Sequence, residues 1–383
     1  MAAAIQLYLA YIEDQLGASA YPATEAGLEF SLQPSNKGFT LVIGGYSDRQ
    51  SALLADVLEA LKNPQWQQAR FDRIQQTMFR DLSNFRREYP FRQVVASLYS
   101  MLKGQWTPLQ KAAAVDQLTM PELEQLVAKL NANLQLKVLI SGNHSLESAE
   151  EIVTSLSSWT KLKSVQSLQS VAKLKPASKQ IYSAQIPVDH SDAAFMLYMQ
   201  GRNDSLAERA HMLLISEMLS APFYTSLRTE KQLGYVVAAF ANNHLRVPGL
   251  ALLVQSSSVD EQALRSEFEQ FLEGYTDQVA LLTQEDLDRY KNSVLSNLQE
   301  TPKNLAELNG RFMESVSLGY NNFDFRQQLV EEVSKVSLSS LSQAYKTVVI
   351  SDARSLSVET ADPDQENTAI DLREQGWVYQ YEF

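Results

Sequence analysis

The sequence predicts an α+β protein of two homologous domains, each an antiparallel-rich sheet packed with helices, and three observations carry that prediction. The chain has 383 residues, which is two domains' worth at roughly 100–200 residues each. Helical and strand-like patterns succeed one another in the same order in its two halves. Between the halves, Ile152 to Val188 contains no Asp or Glu, while Lys161, Lys163, Lys173, Lys175 and Lys179 interrupt a Ser/Gln-rich stretch. Like charges and low apolar content read as a solvated connector. It is placed at 161–178, between a first domain at 1–160 and a second at 179–383.

The elements pair up in order. Ile5, Leu9, Ile12 and Leu16 stand at helical spacing with Gly17 as the expected C-terminal cap, and the second half answers with a helix over Leu206–Leu219, opened by Ser205 and Glu208 at capping-box spacing. A small-residue turn with a tyrosine follows each, Ala18–Tyr21 and Ser220–Tyr224. Two strands come next: Leu28, Phe30 and Leu32 alternate before the apolar run Phe39–Ile43, and the counterparts are Leu233–Phe240 and Leu250–Val254. Leu54, Leu58 and Leu61 then mark an amphipathic helix matched by Leu264, Phe268, Phe271 and Leu272. Phe71–Ile74 corresponds to Leu287–Tyr290, and Leu118–Leu123 to Val336–Leu341, each of the latter pair an N-cap entry to a helix. Each copy is expected to close on a strand, Leu136–Ile140 and Ser355–Glu359, and the offset between copies drifts only from about 203 to about 219.

The copies differ at one end. Two strand-like runs, Gln180–Ile186 and Ala194–Gln200, precede the first helix of the second copy, whereas the first copy opens directly in its helix. The first domain is therefore expected to be N-terminally truncated. Its unpaired strand edges would invite a dimer through that domain. No basic region precedes the first apolar run, so no secretory signal is read there.

Composition narrows the function. With 33 Lys+Arg against 45 Asp+Glu the formal charge is −12, which argues against nucleic acid as a partner. No run approaches 18 apolar residues, so no membrane-spanning helix is expected. Cysteine is absent, which removes disulfides, thiolate zinc sites and cysteine nucleophiles. Of the four histidines, His144, His190, His211 and His244, no two stand at i, i+4. His144 reads as a loop residue, His190-Ser191-Asp192 as a surface turn, and His211 as helix packing. No nucleophile elbow and no Gly-rich phosphate loop is present.

One segment stands apart: Phe223 to Val237, in which polar residues precede a strand and Gly234 lets a neighbouring chain approach closely. The first copy has Pro22–Gly27 in its place, with neither arginine nor an equivalent tyrosine. The residues alone allow a plain strand entry with a salt-bridged Arg228 and a half-buried Tyr235.

Leu227-Arg228-Thr229-Glu230-Lys231-Gln232-Leu233-Gly234-Tyr235 resembles the hallmark of the C-terminal half of the insulinase/pitrilysin (protease III type) zinc metallopeptidases, peptidase family M16. Ser83–Pro90, Gly44–Gln50 and Gly142-Asn143-His144 are similar to the same family's third domain. The resemblance implies LuxS/MPP-like metallohydrolase domains, four to an enzyme, forming two bowl-like halves around a peptide chamber. It places the His-x-x-Glu-His zinc motif in the N-terminal half, and this chain has no such motif. The chain is thus expected to be the non-catalytic C-terminal half, domains three and four, inactive alone, with no catalytic residue, metal ligand or cofactor of its own. Its partners would be the zinc-bearing N-terminal half and peptide substrates. Arg228 would bond peptide carbonyls, and Tyr235 would offer its phenol to the oxyanion at the scissile carbonyl. A free-standing, zinc-free peptide-binding or partner subunit is the alternative. The compartment stays open between cytoplasm and the periplasm of bacterial pitrilysin-like relatives.

Overall fold

The computed structural model describes residues 1–35, 38–157, 168–176, 182–320 and 322–382. Along the first half run α1 (Ala2–Glu25), β1 (Leu28–Pro34), β2 (Phe39–Gly45), α2 (Gln50–Lys62), α3 (Gln68–Ser83), α4 (Pro90–Lys103), α5 (Pro108–Asp116), α6 (Met120–Ala132) and α7 (Leu146–Ser157). Then come β3 (Leu168–Ala172), β4 (Tyr182–Pro187), β5 (Ala193–Gln200), α8 (Leu206–Tyr224), β6 (Val236–Ala241), β7 (Gly249–Ser256) and α9 (Glu261–Ala280). The remainder is α10 (Gln284–Gln299), α11 (Leu305–Ser317), α12 (Phe325–Lys335), α13 (Leu338–Lys346), β8 (Ser355–Ala361) and β9 (Val378–Glu382). Contacts divide the chain into two units, Met1–Phe85 with Trp106–Gln166, and Arg86–Gln105 with Ser167–Phe383. The mixed helix-and-sheet class is as the sequence predicts, whereas residues 86–105, expected in the first domain, group with the second unit.

In the first unit α1 is the central helix. Leu7, Tyr8, Tyr11 and Ile12 are fully buried, and the Tyr8 and Tyr11 hydroxyls donate to the Leu61 and Gln65 carbonyls at 2.5 and 2.6 Å. The helix does not stop at Gly17. That residue faces solvent, where a mid-helix glycine costs only about 1 kcal/mol, and the buried stripe Ile12–Leu16–Ala20 carries the helix onward. α8 likewise runs through Pro222, so the expected small-residue turns are the last turns of helices. Strands β1 and β2 pair antiparallel as expected. The expected closing strand Leu136–Ile140 is not a strand. Its counterpart β8 lies between β4 and β5.

The second unit is built on a five-stranded sheet in the order β4-β8-β5-β7-β6, antiparallel except for β4 with β8. Strand β7 is buried at every position and β5 at all but one, because both faces of the sheet are covered. On one face Phe195, Met199, Leu250, Leu252 and Val254 meet α8, α9, α10, α12 and α13. On the other, Ala194, Met196, Tyr198, Ala251 and Leu253 meet Val94, Leu98, Met101 and Leu102 of α4, a helix that lies in the first repeat of the sequence. Gly104 ends α4 in the left-handed conformation, φ +60°.

Capping follows the sequence closely. Thr119 and Ser337 form capping boxes at the starts of α6 and α13, and the Ser205 side chain accepts the Glu208 N–H. The Glu208 carboxylate does not complete a box; it accepts the backbone N–H and the guanidinium of Arg202. Within the expected connector, 168–172 forms β3 and pairs with β9, while Lys173 and Lys175 stand over the rings of Tyr379 and Trp377; 158–167 and 177–181 lie outside the described residues.

Candidate functional site

The second sheet brings three strand ends together. Register pairs Ala193 of β5 with Ser256 of β7, and Val236 of β6 with Gln255 of β7. Asp192, Gln255 and Tyr235 therefore meet at one end of the sheet although 43 residues separate the first from the last. The Tyr235 hydroxyl donates to Asp192 Oδ2 at 2.8 Å, and Gln255 Nε2 donates to the same oxygen at 2.9 Å and also to the Tyr235 hydroxyl. Asp192 and Gln255 are buried; Tyr235 remains 45% exposed.

The N-terminus of α4 completes the cluster. Gln255 Oε1 accepts the Phe91 backbone N–H at 3.1 Å, one of the donors that a helix start leaves without an intrahelical partner. Tyr89, exposed beside Phe91, faces the ring of His190, whose Nδ1 accepts the Asp192 backbone N–H at 3.0 Å. Partial burial, the hydrogen bond to Asp192 and that carboxylate's charge, with Tyr89 adding, push the Tyr235 phenol up to about 12. Tyr235 thus stays a hydrogen-bond donor throughout the neutral range.

Arg228 reaches the same place by a different route. After α8 the chain makes one π-helical turn, Thr225–Glu230, in which the Lys231 N–H bonds the Ser226 carbonyl. Gln232 then takes φ +53° and the chain turns into Gly234. A Cβ on Gly234 would lie 2.1 Å from the Gln255 carbonyl oxygen, so only glycine permits this approach. Arg228 Nη1 donates to the Gly234 carbonyl at 2.6 Å, tying the exposed guanidinium to the residue before Tyr235, and Lys231 pairs with Glu267. The salt bridge that the residues alone allowed for Arg228 is absent among the described residues; its partner is a backbone carbonyl.

Other expectations need correction. Asp192 is not a surface residue but a buried acceptor for two side chains. His211 is half-buried on α8 and its Nδ1 donates to the Ala207 carbonyl within the helix, rather than lying in the core. Among the described residues no group of three or more His, Asp or Glu side chains could hold a metal ion, so the residues present do not fit a zinc site. No described helix is long and apolar enough to cross a membrane.

Two family models match. Residues 1–114 match the middle or third domain of peptidase M16, and residues 214–313 match the C-terminal lobe domain 4 of PQQ synthase PqqF-like proteins. Human insulin-degrading enzyme is 26% identical over 356 residues, 91% of this chain and 35% of that protein. The putative zinc protease mug138 of Schizosaccharomyces pombe is 25% identical over 340 residues, 86% of this chain and 35% of that protein. Among solved structures, pitrilysin superposes with TM-score 0.88 at 16% identity, over 99% of this chain and 42% of that one. A peptidase M16 inactive domain from Pseudomonas fluorescens gives 0.67 at 15% identity, over 93% and 87%. The chain spans about a third of the length of the curated relatives it matches. With both family models, the relatives and the fold in agreement, the chain belongs to the insulinase/pitrilysin family, peptidase M16, and corresponds to its C-terminal half.

Proposed function

We propose that this chain closes the peptide chamber of a pitrilysin-type zinc metalloendopeptidase and positions substrate, through Arg228 and Tyr235, for hydrolysis by a zinc site in an N-terminal half. The observation that carries the reading is the Tyr235 cluster: an exposed phenol, held protonated and braced by buried Asp192 and Gln255, beside an exposed guanidinium. Arg228 has one nitrogen engaged by Gly234, and the rest of its fork faces out for a peptide carbonyl. When an oxyanion develops on the scissile carbonyl, the Tyr235 hydroxyl turns from Asp192 to donate to it. Zinc, supplied by the other half, provides the Lewis acid. Losing one oxyanion donor costs about 10²–10³ in rate. Tyr235→Phe in the assembled peptidase should therefore lower kcat by that order with little change in KM, and a deficit under about threefold would overturn the role.

A second reading rests on the Pseudomonas fluorescens inactive domain, which this chain matches over most of both lengths. On it the chain is a free-standing, zinc-free subunit that binds peptides or partners a catalytic subunit. Hydrolysis of a flexible fluorogenic peptide separates the two. Silence from the chain alone and cleavage once a zinc-bearing half is added supports a chamber-completing role, whether that half is joined or a separate subunit, whereas silence in both with measurable peptide binding supports a free-standing peptide binder.

A further inference from the structure

The second unit holds a cavity of about 500 Å³ lined by Gln169, Arg209, Asn242, Asn243, Glu314 and Ser317 among others. Arg209 is 8% exposed, and its Nε and Nη1 have no hydrogen-bond partner; Asn242 is 7% exposed, and its Nδ2 has none either. These are three buried donors with nothing to donate to, in a region where leaving a charged donor unpaired is costly. The carboxylate beside Arg209 is Glu314, whose Oε1 stands 3.7 Å from Nη2, and Glu314 is divided with Arg326, 3.5 Å from its other oxygen. Arg326 Nε is unpartnered as well. The neighbouring Arg246 is already occupied, donating to the Leu318 and Gly319 carbonyls and stacked on the Tyr320 ring. Arg209 and Arg326 thus share one close carboxylate, which leaves this pair short of one negative charge.

We infer that this cavity binds a carboxylate, with the anion seated on Arg209 and Asn242 and the amides of Gln169 and Asn243 beside it. A planar carboxylate matches the guanidinium fork, and the volume suits a ligand of small-molecule or short-peptide size. The source is either the C-terminus of a peptide or a small dicarboxylic acid. A cavity this polar also admits water, and occupancy by water alone is the result that defeats the inference.

Binding is read by titration calorimetry on this chain alone, so its outcome does not depend on the role of Tyr235. The probes are N-acetyl-trialanine with a free C-terminus, the same peptide as its C-terminal amide, succinate and inorganic phosphate. At least one carboxylate probe should bind saturably. The amide should bind at least tenfold more weakly than the acid, and Arg209→Gln should weaken carboxylate binding at least tenfold. Glu314→Gln removes the competing carboxylate from a side chain more than a third exposed, and should tighten binding severalfold. If Arg209→Gln fails to fold, Glu314→Gln and Asn242→Ala decide. The stronger of trialanine and succinate names the source. No saturable binding, equal binding of acid and amide, phosphate binding tighter than either carboxylate, or affinities unmoved by Glu314→Gln and Asn242→Ala would each overturn the inference.

Discussion

Gly234→Ala tests the site at its narrowest point. The new Cβ would sit 2.1 Å from the Gln255 carbonyl oxygen, and ordinary contact begins at 3.4 Å, so the two backbones must separate by about 1.3 Å. Strand β7 cannot yield, because it lies between β5 and β6 and is buried along its length, whereas β6 is an edge strand. The edge therefore lifts and carries Tyr235 with it. A displacement of that size takes the 2.8 Å bond from Tyr235 to Asp192 past the roughly 3.5 Å limit of a hydrogen bond. Overpacking of this kind costs about 1–3 kcal/mol. Urea unfolding should show the loss as a lower midpoint at unchanged slope, and the assembled peptidase should lose activity beyond what lower stability explains. A variant within about 0.5 kcal/mol of the parent, with full activity, would refute both the steric argument and the reliance of Tyr235 on its strand.

Other expectations follow from neighbouring residues. Asp192→Asn removes the charge that helps hold the Tyr235 proton and leaves only a neutral acceptor, so the phenol should ionise at lower pH, read as tyrosinate absorbance against a Tyr235→Phe background; an unchanged titration would remove Asp192 from the cluster. The sign for stability is fixed by the same shift. A phenol raised in the folded state stabilises fully below its unfolded value of 10.0, and that contribution is lost as pH rises towards about 12, so Asp192→Asn should make the alkaline loss of stability shallower. Leu98→Ala opens a cavity between α4 and the second sheet and should cost about 2–5 kcal/mol in urea unfolding, with less than about 1 kcal/mol contradicting the placement of α4 in that core. Thr119→Ala and Ser337→Ala each remove a capping box and should each cost about 1 kcal/mol by the same assay; two null results would deny that the repeat preserves its helix starts.

What could be read in the sequence was what is local. Capping residues at Thr119 and Ser337, the alternation of β1 and the closeness implied by Gly234 all depend on a few neighbouring positions, and the structure reproduces them. The hallmark segment was legible for the same reason. What escaped depends on distant partners. β9 pairs with a strand in the expected connector, and neither segment has a pattern that announces the other. Asp192 looks like a turn residue until the β5–β7–β6 register sets it against Tyr235 and Gln255. Leu136–Ile140 has strand composition but is not a strand, because composition alone does not make one. The cavity around Arg209 gathers side chains from β3, α8, the β6–β7 turn and α11, and no spacing along the chain predicts that gathering.

The placement of α4 bears on how such a duplicated protein can evolve. Its residues lie in the first repeat, yet they shield Met196, Tyr198 and Leu253 in the second unit, and its first turn is fastened to Gln255 beside the hallmark tyrosine. A gene fragment starting at residue 179 would inherit the sheet without its cover, exposing a broad apolar face prone to aggregation. Once the first copy came to lend a helix in this way, it could not be deleted, shuffled into another gene or replaced by a cousin without unclothing the second. The repeats can diverge in sequence, as the arginine and tyrosine confined to the second copy show, while remaining obliged to travel together.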